Sequence, residues 1–295
     1  MLSILIPTYN YNAFPLVSKL EELVFNTELK YEIICIDDGS NSPHNTENEK
    51  INELRHCQFF SLNKNIGLSN NRNELARVSK YENLLFIDSD SVIIDTNFIN
   101  KYIEFIKNAD VIYGGRIHPK SVSSNRKLRW KYGIKKEDQT VSQRNQNPYK
   151  CVLFNNTLIK RNVFNKIGFE KAITQYGHED TLFSYNLYKI KANIKHIDNP
   201  VLHGDVDLND VYVNKTIKGL KNLNFIYTKE LIEPNFITFL RIFKKIERFK
   251  LNYIFALINK LCYSIFKSNL KSNNPSLYIF ELFRLSYFCA INLKK

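Results

Sequence analysis

Apolar runs of strand length alternate with helically spaced apolar residues through the first half of this chain. Residues 3–6, 31–36, 59–62, 84–87 and 111–113 are short and nearly continuous in apolar character, whereas 14–25, 68–78 and 98–106 repeat it at helical intervals. Strands apolar on both faces, alternating with helices, predict an α/β fold: a mostly parallel sheet with helices on both faces. Ligands of such sheets collect beyond the carboxyl ends of the strands. Thr8 to Asn10, Asp37-Asp38 and Asp88-Ser89-Asp90 all follow strand ends, so three of them are expected to converge on one crevice.

The second half is less regular. From Gly114-Gly115 to Tyr149 the chain is polar, rich in Ser, Asn, Lys and Arg, and holds the single tryptophan, Trp130. It reads as a mobile substrate loop or as disorder, with nothing in the pattern to choose between them. A short strand at 151–154 and a helix at 162–167 come next, and Tyr176-Gly177-His178-Glu179-Asp180 opens a helix over 181–190. From Phe236 onward apolar residues fall at a nearly helical period with basic residues between them, which predicts an amphipathic basic helix broken once. A second apolar helix over 277–291 follows the polar turn at Asn273-Asn274-Pro275. The expected organisation is a catalytic domain over 1–232, with halves at 1–115 and 116–232, and a helical C-terminal region over 233–295.

Composition adds where the charge sits. The 295 residues carry a net charge of +13, and the segment from Phe236 to Lys295 holds eleven Lys and Arg against Glu247 and Glu281, so nine of those charges lie there. They are interleaved with Phe, Ile, Leu and Tyr rather than with the small polar residues of phosphate-gripping loops, which favours an anionic membrane surface over nucleic acid. The other reading is a helical pair packed on the catalytic core or on a second subunit, so oligomerisation stays open. Neither C-terminal segment has an unbroken apolar run of about 18 residues, the usual minimum for crossing a bilayer. The five scattered cysteines suit neither a disulfide framework nor a thiolate zinc site, and the opening apolar run is too short for an export signal. The expected location is the cytoplasm, peripheral on the inner face of the cell membrane.

The segment Leu84-Leu85-Phe86-Ile87-Asp88-Ser89-Asp90 makes an apolar strand end on two carboxylates one residue apart. Two anions so close call for a counter-cation, and a hard divalent ion with oxygen ligands, shared with phosphates, is the natural one. The plain alternative is a capped turn, which Asp and Ser also favour. No G-x-G-x-x-G follows the first strand, so a nucleotide gripped by side chains is expected in place of NAD or FAD.

Four segments in this order, Ser3-Ile4-Leu5-Ile6-Pro7-Thr8-Tyr9-Asn10, Ile36-Asp37-Asp38-Gly39-Ser40, Asn65-Ile66-Gly67 with Arg72-Asn73, and Ile87-Asp88-Ser89-Asp90, resemble the nucleotide-binding half of family 2 glycosyltransferases. Gly177-His178-Glu179-Asp180 is similar to the Glu-Asp motif on the acceptor side of that family, and the resemblance spans about residues 1–205. It implies a Rossmann-like sheet of the A-type glycosyltransferase fold and an inverting, bacterial enzyme. Such an enzyme moves a sugar from a nucleotide donor, UDP-linked by expectation, to a hydroxyl of a glycan or lipid-linked acceptor in surface polysaccharide or lipooligosaccharide synthesis.

The roles the resemblance implies fall on named residues. Asp37 or Asp38 accepts from a pyrimidine N–H, with Pro7 and Thr8 flanking the base and Asn10 beside them. Asn65, Gly67 and Arg72 receive phosphate. Asp88, with Ser89, lies near the ribose, and Asp90 holds Mg²⁺ or Mn²⁺, with His203 as a further metal ligand. Asp180 is the general base, Glu179 its neighbour, although acids in a helix's first turn are also stabilised by the macrodipole without any function. Asn155, Asn156 and His178 are candidates for acceptor contacts, and Trp130 with Tyr132 for an aromatic platform, each with a bland loop or core alternative. The rival readings are a sugar-phosphate nucleotidyltransferase, which leaves Asp180 without a task, and a non-catalytic nucleotide-sugar-binding or membrane scaffold protein.

Overall fold

The computed structural model describes residues 1–293; Lys294 and Lys295, counted in the basic C-terminal region, lie outside the described residues. The first half runs β1 (Leu2–Thr8), α1 (Phe14–Phe25), β2 (Tyr31–Asp37), α2 (Asn45–Asn48), β3 (Cys57–Ser61), α3 (Leu68–Val78), β4 (Asn83–Ile87), β5 (Ser91–Val92), α4 (Phe98–Phe105), β6 (Val111–Tyr113) and β7 (Arg116–Ile117). Then come α5 (Lys127–Lys136), α6 (Val141–Asn145), β8 (Asn156–Lys160), α7 (Arg161–Ile167), α8 (Glu179–Lys189), β9 (Ile194–His196) and β10 (Val201–His203). Four helices close the described chain: α9 (Asn209–Thr228), α10 (Thr238–Arg248), α11 (Asn252–Lys271) and α12 (Leu277–Asn292).

Contacts divide the chain into two compact units. The first comprises Met1–Pro119, Glu137–Thr174 and Glu179–Asp205; the second comprises Lys120–Lys136, Gln175–His178 and Val206–Lys295. The boundary expected at residue 232 is not where the chain divides, because α9 and α5 pack with the C-terminal helices around Leu128, Val213, Phe266, Leu270, Phe280 and Phe283.

In the first unit a seven-stranded sheet has the order β3-β2-β1-β4-β8-β6-β9. Side chains alternate across each central strand as period-two geometry requires. Ile4, Ile6, Ile33, Cys35, Leu85 and Ile87 face one core with Leu16, Val17 and Leu20 of α1 and Phe98 and Tyr102 of α4. Leu5, Ile34, Ile36, Leu84 and Phe86 face the other, with Leu75 of α3, Phe164 of α7 and Phe183 of α8. The apolar runs read from sequence are continuous for this reason.

Neighbours β1, β2, β3 and β4 are parallel, as are β6 and β9, while β8 runs antiparallel between β4 and β6. Its direction brings the start of β8 level with the carboxyl end of β4, where Ile87 pairs with Asn156. A separate three-stranded sheet, β5-β10-β7, sets His203 opposite Ser91 and Val201 opposite Arg116.

Two expectations need correction. The polar stretch 116–149 is largely helical, because Leu128 and Gly133 give α5 a buried side and Thr140 with Gln143 closes a capping box at the start of α6. The strand expected at 151–154 lies five residues later, at β8; Val152 and Phe154 are buried, but in irregular chain after a 3₁₀ turn at Pro148–Cys151.

Candidate active site

The site lies at the switch point of the sheet, where β2 and β4 leave β1 on opposite sides. Pairing of β1 with β4 stops at Leu5↔Phe86, so Pro7, lacking an N–H, meets no ladder partner on that side. Beyond it Thr8 is buried, and Asn10 takes a left-handed backbone, φ 51°, and accepts from Ser42 Oγ at 2.7 Å.

At the end of β2 both aspartates are already engaged. Asp37 accepts from Ser40 N and Oγ, at 2.8 and 2.6 Å, and from Asn45 Nδ2 at 3.1 Å. Asp38 accepts from the N–H groups of Ile66 and Gly67 at 2.7 and 2.9 Å, tying β2 to the loop before α3. Burial raises the Asp38 pKa, opposed by those two hydrogen bonds. In that loop Asn65 is exposed and accepts from Gly67 N at 3.1 Å. Gly67, at φ 86°, caps α3, and a Cβ there would stand 2.3 Å from the Thr174 carbonyl oxygen.

Arg72 of α3 lies under the crevice, 1% exposed. Its Nη2 donates to Asp88 Oδ1 at 2.9 Å and its Nη1 to Asp180 Oδ1 at 2.7 Å. Below it are the rings of Phe154 and Phe169, 5.9 and 5.3 Å from the guanidinium carbon. One guanidinium on an aromatic floor thus grips the carboxylate after β4 and the one that opens α8. Asp180 also accepts from Phe154 N at 3.2 Å. Burial raises its pKa despite the pull of Arg72, where the helix dipole alone suggested a lowered one. Glu179 beside it is buried.

Asp88, Ser89 and Asp90 are half-buried at the mouth of β4. His203 Nε2 lies 3.0 Å from Asp90 Oδ2, brought there by the β5–β10 pairing and by Gly204 N donating to Asp90 O. Sequence reasoning missed Arg116. Its Nη2 is 3.5 Å from Asp88 and 4.0 Å from Asp90, and its Nη1 is 3.6 Å from Glu137. Tyr11 was missed too: burial first, then Asp90 and Asp205, raise its pKa. The usable sign was Arg116-Ile117-His118, whose alternation sends Arg and His to one face of a short strand.

The acceptor candidates separate. Asn155 is buried beside Arg116, accepting from its Nε at 2.9 Å with the amide oriented to match its partners. Asn156 is committed to the fold: it accepts from Tyr102 OH and donates to the carbonyls of Gly115 and Asn199. Trp130, Tyr132 and His178 belong to the second unit. There Tyr132 packs on Phe280 at 5.5 Å, and His178 is held neutral, its pKa lowered to about 4 by burial and then by Arg284.

The donor set suits a divalent cation. Asp90 Oδ2 and His203 Nε2 are 3.0 Å apart, the spacing of adjacent ligands around an octahedral ion with bonds of about 2.1 Å. The carboxylates of Asp88, Asp90, Glu137 and Asp180 also outnumber the Arg72 and Arg116 guanidiniums by two. Among the described residues no three His, Cys, Asp or Glu side chains group to hold a metal ion, so a cation at Asp90 and His203 would need further ligands from solvent or a bound diphosphate.

Residues 3–168 match the family model described as Glycosyl transferase family 2. The fold is similar to that of S. aureus TarS 1-349, with a TM-score of 0.51 and 18% identity over 73% of this chain and 63% of that one. Against S. aureus TarS the TM-score is 0.50 at 17% identity, over 73% of this chain and 38% of that one, so the chain spans less than two thirds of either TarS structure. The mannosyltransferase PcManGT from Pyrobaculum calidifontis, in complex with GDP-Man and Mn2+, gives a TM-score of 0.59 at 11% identity, over 99% of this chain and 86% of that one. At such identities the likeness is one of fold, the A-type glycosyltransferase fold. No curated protein matches the sequence.

Proposed function

Because the chain belongs to glycosyl transferase family 2, we propose that it moves a sugar from a nucleotide donor to a hydroxyl of a glycan or lipid-linked acceptor, inverting the anomeric carbon in one displacement. The observation that carries this reading is the Arg72 fork, which joins the nucleotide-side carboxylate Asp88 and the acceptor-side carboxylate Asp180 in one site. A nucleotidyltransferase gives Asp180 nothing to do.

In this mechanism Pro7, Thr8, Asn10, Asp37 and Asp38 shape the base pocket, Asn65 and the N-terminus of α3 face phosphate, and Asp88 with Ser89 faces the ribose. Asp90 and His203 would hold a divalent ion, Mn²⁺ or Mg²⁺. When bound it supplies Lewis-acid neutralisation of the charge that develops on the departing diphosphate. Arg72 fixes the Asp180 carboxylate, which takes the proton from the acceptor hydroxyl as that oxygen attacks. Burial raises the Asp180 pKa, which strengthens it as a base, while Arg72 pulls the other way and favours the carboxylate form. A UDP-linked donor is the first to test and GDP-mannose the second, in a panel read by thermal shift with Mn²⁺.

Asp180→Asn is expected to keep donor affinity and lose about 10²–10⁴-fold in transfer rate. Asp90→Asn is expected to lose metal-dependent release of the nucleoside diphosphate. Wild-type transfer by both variants would remove the assignment.

The reading extends to location. Along α11 the side chains of Ile254, Leu257, Leu261 and Ile265 share one face and are each more than half exposed, with Phe249 just before the helix 70% exposed. Arg241, Lys244 and Lys245 on α10, Lys250 in the turn that follows, and Lys260 and Lys271 on α11 are also exposed. Apolar residues interleaved with cations suit an anionic lipid surface, which supports reading the enzyme as a peripheral protein on the cytoplasmic leaflet, engaged in bacterial surface polysaccharide or lipooligosaccharide synthesis on lipid carriers. Among the described residues no helix is long and apolar enough to cross a membrane.

A further inference from the structure

His203 does not stand alone behind Asp90. Its other ring nitrogen, Nδ1, lies 3.2 Å from Nε2 of His118, and His118 Nδ1 lies 2.6 Å from Asp138 Oδ1. The backbone N–H of His118 donates to the second oxygen, Asp138 Oδ2, at 3.1 Å, fixing carboxylate and ring together. The imidazoles are buried and cross at 85°. Glu137 Oε2, 3.8 Å from His118 Nε2, is beyond hydrogen-bond reach.

Polarity follows from the end of the chain. An ionised carboxylate only accepts, so His118 Nδ1 carries the proton and, in the neutral ring, Nε2 keeps its lone pair. That lone pair takes a proton from His203 Nδ1, so that in the neutral ring His203 Nε2 faces Asp90 as an acceptor. Lone pair against carboxylate oxygen at 3.0 Å is repulsive unless a cation lies between them. With the opposite polarity, which needs an extra proton on His118, His203 would donate to Asp90 and be lost as a ligand.

We propose that Asp138 and His118 are positioning residues that lock the tautomer and ring angle of His203, so that Asp90 and His203 face the metal as a preformed donor pair. The proposal rests on the reading of Asp90 and His203 as metal ligands. Partners of this kind behind a ligating histidine are worth about 10–100-fold in metal affinity.

The test is the dissociation constant for Mn²⁺ alone on the full chain, measured by electron paramagnetic resonance, with circular dichroism to confirm folding. His118→Leu and Asp138→Asn are expected to weaken Mn²⁺ binding at least tenfold. His118→Gln, whose amide oxygen can stand where Nε2 accepts, is expected to recover most of that loss, which a merely structural role would not produce. Asp138→Asn, close to isosteric, keeps the test valid if His118→Leu does not fold. Wild-type affinity in Asp138→Asn and in folded His118→Leu, beside weakened binding in Asp90→Asn and His203→Ala, overturns the relay alone. Unchanged affinity in Asp90→Asn and His203→Ala overturns the metal reading beneath it.

Discussion

Arg72 is the residue on which the site turns. Its guanidinium is 1% exposed and shared between Asp88 and Asp180. Replacing it with methionine strands two partly buried carboxylates, and breaking such a pair costs about 3–5 kcal/mol. Arg72→Met is therefore expected to melt well below wild type, with Arg72→Lys between them, because an ammonium restores charge without the two-pronged geometry. The pH profile carries the sign. A general base works ionised, so kcat/KM falls as pH drops through its pKa. Burial raises the pKa of Asp180, placing the acid limb above 3.8, its ordinary value. Because Arg72 lowers that pKa, residual activity in Arg72→Met should show the limb at still higher pH; a limb unmoved in the variant would dissociate Asp180 from the chemistry. At this scale the sequence singled out Asp88, Asp90 and Asp180, each of which sits in a local motif and which the fold gathers around Arg72 and His203. It did not reveal Arg116, His118 or Asp138, whose partners lie across chain separations that no local pattern encodes: His118 is 85 residues from His203, and His203 is 113 from Asp90.

Elements were legible where period and burial agreed. The strands around β1, β2 and β4 are covered on both faces, so their apolar runs announced them, and α3 and β6 lie over the residues expected. The stretch holding α5 and α6 was misread because its buried side is narrow, though Thr140-Val141-Ser142-Gln143 carried the capping-box pattern. The displaced strand shows the opposite limit: Val152 and Phe154 are as apolar as a strand requires, yet backbone pairing begins only at Asn156. The loop between β3 and α3 offers a sharp test of an element boundary. Gly67 has φ 86°, donates its N–H to Asp38, and approaches the Thr174 carbonyl too closely for a Cβ. Gly67→Ala is expected to cost about 1–3 kcal/mol in strain and to weaken nucleotide binding, as measured by melting and calorimetric titration. Retention of both would mean that the loop can relax without the site.

For the chain as a whole, charge distribution was readable from sequence but the division into units was not, because the second unit draws on three separate segments. Its exposed α11 face predicts behaviour of the intact protein. It should float with vesicles containing phosphatidylglycerol, stay behind with neutral ones, and lose flotation in the double variant Leu257→Glu with Leu261→Glu. If the wild type instead ignores vesicles and sediments as a dimer that the same double variant dissociates, that face is a contact between subunits. The central claim is that a cation held by Asp90 and His203 meets the nucleoside diphosphate while Asp180 stands ready across the crevice. Anomalous diffraction at the manganese edge, from crystals grown with Mn²⁺ and UDP, tests it most directly. The account predicts one strong peak bonded to Asp90 Oδ2 and His203 Nε2 and shared with the diphosphate, whereas a diphosphate bound with no such peak, or a peak elsewhere, would contradict it.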